Sequence, residues 1–358
     1  MDDLLEQFDK WLEGDGPAAL VMREYLMPVE GSDGVFFPAT FAAAEDKTFK
    51  GGYNIDRFPD GTNVCLVDSV GAQANRIEPL FASGEYASLV PQIVIVAGAK
   101  KVSLLEAGHR AGDAIVRCSI LQDKLRAAFD AVQGGDAEPL ARIAPTSIVF
   151  GVWDSRDTQA KLPRLIASTI RAYDVRELTR SAQYVPAAEY VNDQLLAEPT
   201  DNVTHDIYAK RGFVHVPASG SHGGIIATGG IRRDASLHLA ALRLLMAGGD
   251  PAKTKVLRRY ILGLALTAFT FPASRYLRQG CNLVLDPEKP TEFKEVFGDG
   301  KREDATLKHS DALAYAKAAA QPFVREPNQT VNFDKDLAKQ DVAATLKKTA
   351  KAKAPKNK

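Results

Sequence analysis

The clearest change of pattern along the chain runs through NVCLVDSVGAQANRIEPLF, residues 63–81. Residues 64–67 form a short apolar, partly β-branched run, which predicts a buried strand. Asp68 follows at the position of a helix N-cap, where a carboxylate accepts the first free backbone N–H groups. Val70, Ala74, Ile77 and Phe81 then recur at helical spacing and make one apolar stripe, while Ser69, Gln73 and Arg76 line up about 100° around the cylinder. A hydroxyl, an amide and a guanidinium beside the positive end of a helix dipole form a seat for a phosphodiester. A polar shoulder on an ordinary core helix has the same spacing.

The rest of the pattern is mixed. Residues 2–15 read as a short helix ended by Gly14, Gly16 and Pro17, and 19–29 as a strand. From 30 to 62 glycines and prolines interrupt the pattern, predicting a long loop or extended hairpin. Its aromatics, among them Phe36, Phe37, Phe41, Tyr53 and Phe58, argue for a packed element. Residues 91–97, 115–120 and 147–152 read as buried strands, and 121–132, 235–246 and 253–269 as amphipathic helices. Strands and helices without regular alternation predict an α+β domain with helices on one face of the sheet.

Composition narrows the class. Apolar residues make up 45% of the 358 and charged residues 25%, an ordinary globular balance. Cys65, Cys118 and Cys281 are far apart and form no metal-ligand pattern, which predicts buried thiols and no structural zinc. The acidic N-terminus is unlike a secretory signal, and the longest apolar run, 261–269, is too short to cross a bilayer, so we expect no membrane partner and a cytoplasmic protein. The zero net charge conceals an asymmetry: 12 basic against 22 acidic residues over 1–140, 18 against 11 over 141–283, and 15 against 12 beyond. A basic middle suits a local polyanion-binding groove, and the acidic first third suits a basic neighbour, including another copy. The Lys-rich stretch 334–358 predicts a disordered tail with sequence-blind affinity for polyanions, or simply a solubilising one.

Few patterns point to catalysis. His109 and Asp113, four apart, have the spacing of a metal-ligand or acid–base pair, but Gly108 and Gly112 argue against a regular helix there. ASGSHGGIIATGGIRR, residues 218–233, lacks the order of a P-loop or a dinucleotide fingerprint. Read as a Gly-rich loop, it brings backbone N–H groups close to phosphates, with His222, Arg232 and Arg233 as further donors; a flexible hairpin tip reads equally well. Tyr276 between Arg275 and Arg278, and Trp153 near Arg156, suit stacking on a base beside phosphate contacts. No cofactor site is expected.

The helix start at 69–76, with REYLMPVEGSDGVFFPATFA (23–42), EAGHRAGDAIVR (106–117), GVWDSRDTQAKLPR (151–164) and FPASRYLRQGCNL (271–283), resembles the CRISPR-associated RAMP proteins. Within them the resemblance is to the large backbone subunit, the Cas-seven-type family, of type I effector complexes, subtype I-G, formerly I-U. It implies an RRM-like, ferredoxin-like core with large loop and helical insertions over 1–333. It also implies a non-catalytic subunit that oligomerises along CRISPR guide RNA and presents its bases to target DNA, alongside other copies of itself and other subunits of the effector complex. The residues expected to touch RNA are Ser69, Gln73, Asn75, Arg76, Arg110, Arg156, Lys161, Arg164, His222, Arg232, Arg233, Arg275, Tyr276 and Arg278. The rival expectation is a metal-dependent nuclease acting on RNA or DNA through His109, Asp113 and Asp154.

Overall fold

Side chains along Ala19–Pro28 alternate in burial, and this strand, β1, lies in the middle of a nine-stranded sheet in the computed structural model, which describes residues 2–46, 48–324 and 328–353. The other strands of the sheet are β2 (Ile55–Arg57), β3 (Asn63–Asp68), β4 (Ile166–Tyr173), β5 (Ile231–His238), β6 (Tyr276–Arg278), β7 (Cys281–Leu285), β8 (Glu292–Val296) and β9 (Arg302–Asp304). Their order is β6-β7-β1-β5-β4-β3-β2, and β8 shares the outer side of β1 with β7 while pairing with β9. Every paired neighbour in this sheet is antiparallel.

Within it, β7-β1-β5-β4 is the fourth, first, third and second strand of a β-α-β-β-α-β unit, the ferredoxin-like order. Helices α1 (Val70–Ile77) and α2 (Gln122–Gln133) fall between β1 and β4, and α3 (Pro251–Thr270) between β5 and β7. The α+β class and the RAMP-type core are thereby borne out. The insertions take two forms. One adds β2 and β3 to the sheet edge, and the other, between β4 and β5, is a long antiparallel pair, Val175–Tyr184 with Val216–Ala227.

The sheet has two unlike faces. In register, Leu20, Met22, Glu24 and Leu26 of β1 lie opposite Leu237, Ala235, Arg233 and Ile231 of β5, which in turn oppose Ile166, Ser168, Ile170 and Ala172 of β4. This face is apolar except for Glu24, Ser168 and Arg233, all buried. The main core covers its Leu20, Ile166 and Leu237 end and a second, smaller core its Leu26, Ala172 and Ile231 end. In the main core α3 is the axis: Asp250 caps that helix by accepting from Ala252 N and Lys253 N, Pro251 starts it, and Tyr260, Ile261, Leu262, Leu264, Ala265 and Leu266 are fully buried. Tyr260 stacks on Phe323 with ring centroids 4.4 Å apart and donates its hydroxyl to Leu89 O.

Several local expectations give way to stronger local chemistry. Ser69, not Asp68, is the N-cap of α1, accepting from Ala72 N at 3.2 Å, while Asp68 is fully buried in a charge network. Residues 115–120 start a helix, Ala114–Arg117, because Asp113 caps it by accepting from Ile115 N. Residues 147–152 fall in the helix Pro145–Val149 and the strand Val152–Trp153. Over 235–246 the two-residue burial period of β5 continues to Leu237, leaving only Leu239–Leu242 helical.

The Gly-rich stretch 218–233 is the strand Val216–Ala227, a turn and the start of β5, not a loop. Its glycines permit close approach: a Cβ on Gly223 would sit 2.7 Å from the carbonyl carbon of Thr179 on the paired strand. Within 30–62, Thr40–Phe41 pairs with Gly52–Tyr53, and Phe36 is buried against Ile225, exchanging two backbone hydrogen bonds with it. Lys335–Lys353 is a helix where composition suggested disorder. Asp334 caps it by accepting from Asp336 N and Leu337 N, and Arg117 pairs with Asp341 at 2.8 Å. Residues 354–358 of the expected tail lie outside the described residues.

Candidate nucleic-acid interface

Asp68 ends β3 and is fully buried, so its charge has to be met by side chains brought to it. Arg278 donates to Oδ1 at 2.9 Å; Gln73 Nε2 and Arg76 Nε donate to Oδ2 at 2.7 and 3.2 Å. The Gln73 carbonyl oxygen accepts from Ser168 Oγ at 3.0 Å, and Ser168 accepts from Arg233 Nε at 2.9 Å. Arg233 then donates to Glu24 Oε2 at 2.7 Å, and Arg275 to Glu24 Oε1 at 2.6 Å. Burial opposes ionisation of Glu24, but Arg233 and Arg275 outweigh it and hold the carboxyl below the ordinary range. Four arginines thus surround two carboxylates, an excess of two positive charges. Arg76 is exposed, and Arg275 and Arg278 are half-buried.

A second group lies around a cleft of about 460 Å³ whose walls include His109, Arg110, Trp153, Arg156, Lys161 and Arg164. Arg110 is buried, its Nε 2.7 Å from Glu78 Oε2, and its backbone has φ +53. Burial pushes the Glu78 carboxyl up to about 7 against the pull of Arg110. Arg164 donates to Phe150 O at 3.1 Å, and burial together with the charge of Arg110 lowers its pKa. Lys161 sits 5.4 Å from the centroid of the Trp153 ring, which is 56% exposed. Arg156 is exposed and has no side-chain hydrogen bond or ion pair among the described residues. Four cations meet one carboxylate here.

Helix α1 joins the two groups. Gln73 and Arg76 point to the first, and Asn75 Oδ1 accepts from Arg110 of the second at 3.4 Å. Nine of the predicted residues are therefore side chains of one or the other group, Asn75 bridges them, and Ser69 caps the helix between them. Tyr276, 56% exposed, lies between Arg275 and Arg278 on β6.

Two predicted residues lie elsewhere. Arg232 is on the opposite sheet face from Arg233, as alternation along a strand requires, donating to Asp234 and to the Tyr173 hydroxyl. His222 packs on the Tyr53 ring in the long antiparallel pair. Of the residues in the nuclease expectation, His109 N donates to Asp113 Oδ2 at 3.2 Å. The Asp113 carboxylate caps the short helix after it, and that of Asp154 accepts from Thr158 N and Oγ1. Among the described residues no group of three or more His, Cys, Asp and Glu is placed to hold a metal ion. Glu24, Ser168 and Glu78, which position the arginines, escaped prediction. Glu24 alone carried a signal, a charge on the buried phase of an apolar strand.

Residues 20–177 match the family described as CRISPR-associated protein GSU0053. Over that stretch, less than half of its length, the chain is similar to the GSU0053 family. This is a Cas7-like family of I-U/I-G systems, in agreement with the resemblance read from the sequence. No curated protein matches the chain. The GSU0053 stretch holds Glu24, Asp68, α1 and the whole second group, whereas Arg233, Arg275 and Arg278 come from beyond it and complete the first. Among the described residues no helix is long and apolar enough to cross a membrane.

Proposed function

We propose that this chain is a non-catalytic backbone subunit of a type I CRISPR surveillance complex, binding guide RNA and oligomerising along it in the cytoplasm. The observation that carries the reading is that two groups with excess positive charge flank one helix, α1, in a chain similar over residues 20–177 to a CRISPR-associated family. Two such groups, joined through Asn75, suit successive phosphates of one strand. Trp153 and Tyr276, exposed beside cations, suit stacking on bases of any identity, and phosphate and ribose contacts accept any spacer sequence. A subunit of this kind leaves base edges free for target DNA and meets copies of itself and other effector subunits at its ends.

Arg76 is the outermost donor of the first group. Its replacement by alanine is expected to weaken binding of guide RNA by about 1–3 kcal/mol irrespective of sequence, the value of one charge-assisted contact. Fluorescence anisotropy with RNAs of unrelated sequence measures this, with thermal melting as control. Asp68 keeps Arg278 and Gln73 in the variant, so the melting temperature should hold; equal loss of stability and affinity would make the role of Arg76 structural.

A further inference from the structure

Glu78 is the carboxylate of the second group, in the turn Glu78–Ala82 directly after α1. It is 1% exposed, and its Oε1 accepts no hydrogen bond among the described residues. Oε2 lies 2.7 Å from Arg110 Nε, but that nitrogen makes no well-directed hydrogen bond either. A buried carboxylate met by one imperfect ion pair is costly in its charged form, because little replaces the water it has lost. Apart from Arg110, the group that faces it is the uncharged hydroxyl of Thr146, on the helix Pro145–Val149.

Arg110 carries the charge state of Glu78 to the cleft. It opens the turn Arg110–Gly112 with φ +53, a backbone conformation that a residue with a side chain keeps only where its surroundings hold it. Its guanidinium is on the cleft wall, and its bonds to Gly151 O and Asn75 Oδ1 are both long, 3.4 Å. Among the described residues no other carboxylate pairs with it. While Glu78 is ionised the pair is neutral, and the cleft presents the charges of Arg156, Lys161 and Arg164. When Glu78 takes up a proton, Arg110 adds a fourth charge to that wall, in a partly buried setting where water screens it little.

We infer that binding of guide RNA in this cleft takes up a proton on Glu78, so that the chain grips RNA more tightly as pH falls. Phosphate beside Arg110 favours the protonated acid, and by linkage the protonated acid favours phosphate. Burial sets the range, pushing the Glu78 carboxyl up to about 7. The inference rests on the function proposed above and names a regulation of the same site.

Affinity of the full-length protein for oligouridine, whose bases keep their protonation from about pH 6 to about pH 8, tests this at constant salt. The wild type should bind about three- to tenfold more tightly at the lower pH, within the limit of tenfold per pH unit for one linked proton. Glu78→Gln, which imitates the protonated acid, should bind tightly at both. His109 is also on the cleft wall and is itself titratable, so His109→Gln is the control and should keep the pH dependence. Calorimetry of the wild type in buffers of different ionisation enthalpy should register proton uptake on binding near pH 7, a readout that needs no variant. RNA binding indifferent to pH and without proton uptake, or a pH dependence that survives Glu78→Gln and disappears in His109→Gln, would overturn the inference and leave the guide-RNA reading in place. Absence of binding at every pH would overturn both.

Discussion

Replacing Arg156, Lys161 and Arg164 together by alanine is expected to lower affinity for guide RNA by about 10²–10⁴-fold, from three charge-assisted contacts of roughly 1–2 kcal/mol each. Among the described residues none of the three is ion-paired: Arg164 is held by a backbone carbonyl, Lys161 lies over an exposed tryptophan, and Arg156 has no side-chain partner. Their loss therefore removes no internal charge pair, and unfolding in urea should keep its midpoint within the small range of surface changes. The slope of log affinity against log salt should also become shallower, by about 0.7 for each lost contact to single-stranded RNA. Unaltered affinity at low salt would remove this cleft from the interface.

The first group should respond in the opposite manner. Asp68→Ala leaves Arg278 and Arg76 without their common carboxylate and leaves the buried Gln73 amide without its acceptor. Removing one partner of a buried charge network costs about 3–5 kcal/mol. The variant should unfold at a clearly lower urea concentration with an unchanged slope, and Asp68→Asn should recover part of the loss by keeping one of the two oxygens that accept these bonds. Equal stability of wild type and Asp68→Ala would show that the network is not what holds β3, α1 and β6 together. The contrast between the two groups follows from where their charges are compensated, inside the protein in one and largely unpaired in the other.

Much of this arrangement was legible in the residues. The strand-to-helix run at 63–81 announced α1 and its polar side, because an amphipathic helix directly after a β-branched run has few alternative packings. Arg275 and Arg278 were legible as a charged pair beside an aromatic. The meeting of Arg278 with Asp68 and of Arg275 with Glu24 was not, since more than two hundred residues separate the partners of each pair. Local periodicity failed where a cap or a strand register decided the matter. Asp113 turned an apolar, β-branched run into a helix, and the two-residue period of β5 extended beyond the point where helical spacing seemed to begin. Glycines suggested a loop at 218–233 because backbone freedom and close strand packing leave the same mark on a sequence. Arg232 and Arg233 are adjacent, so only one of them can share the face of Ser168.

The central claim, that copies of this chain line up along guide RNA, is tested most directly by native mass spectrometry of the full-length protein on RNAs of increasing length. The account predicts that mass rises in equal steps, one copy for each added segment of RNA, and that the complexes fall apart as salt is raised. A fixed dimer, or a mass indifferent to the length of the RNA, would contradict it.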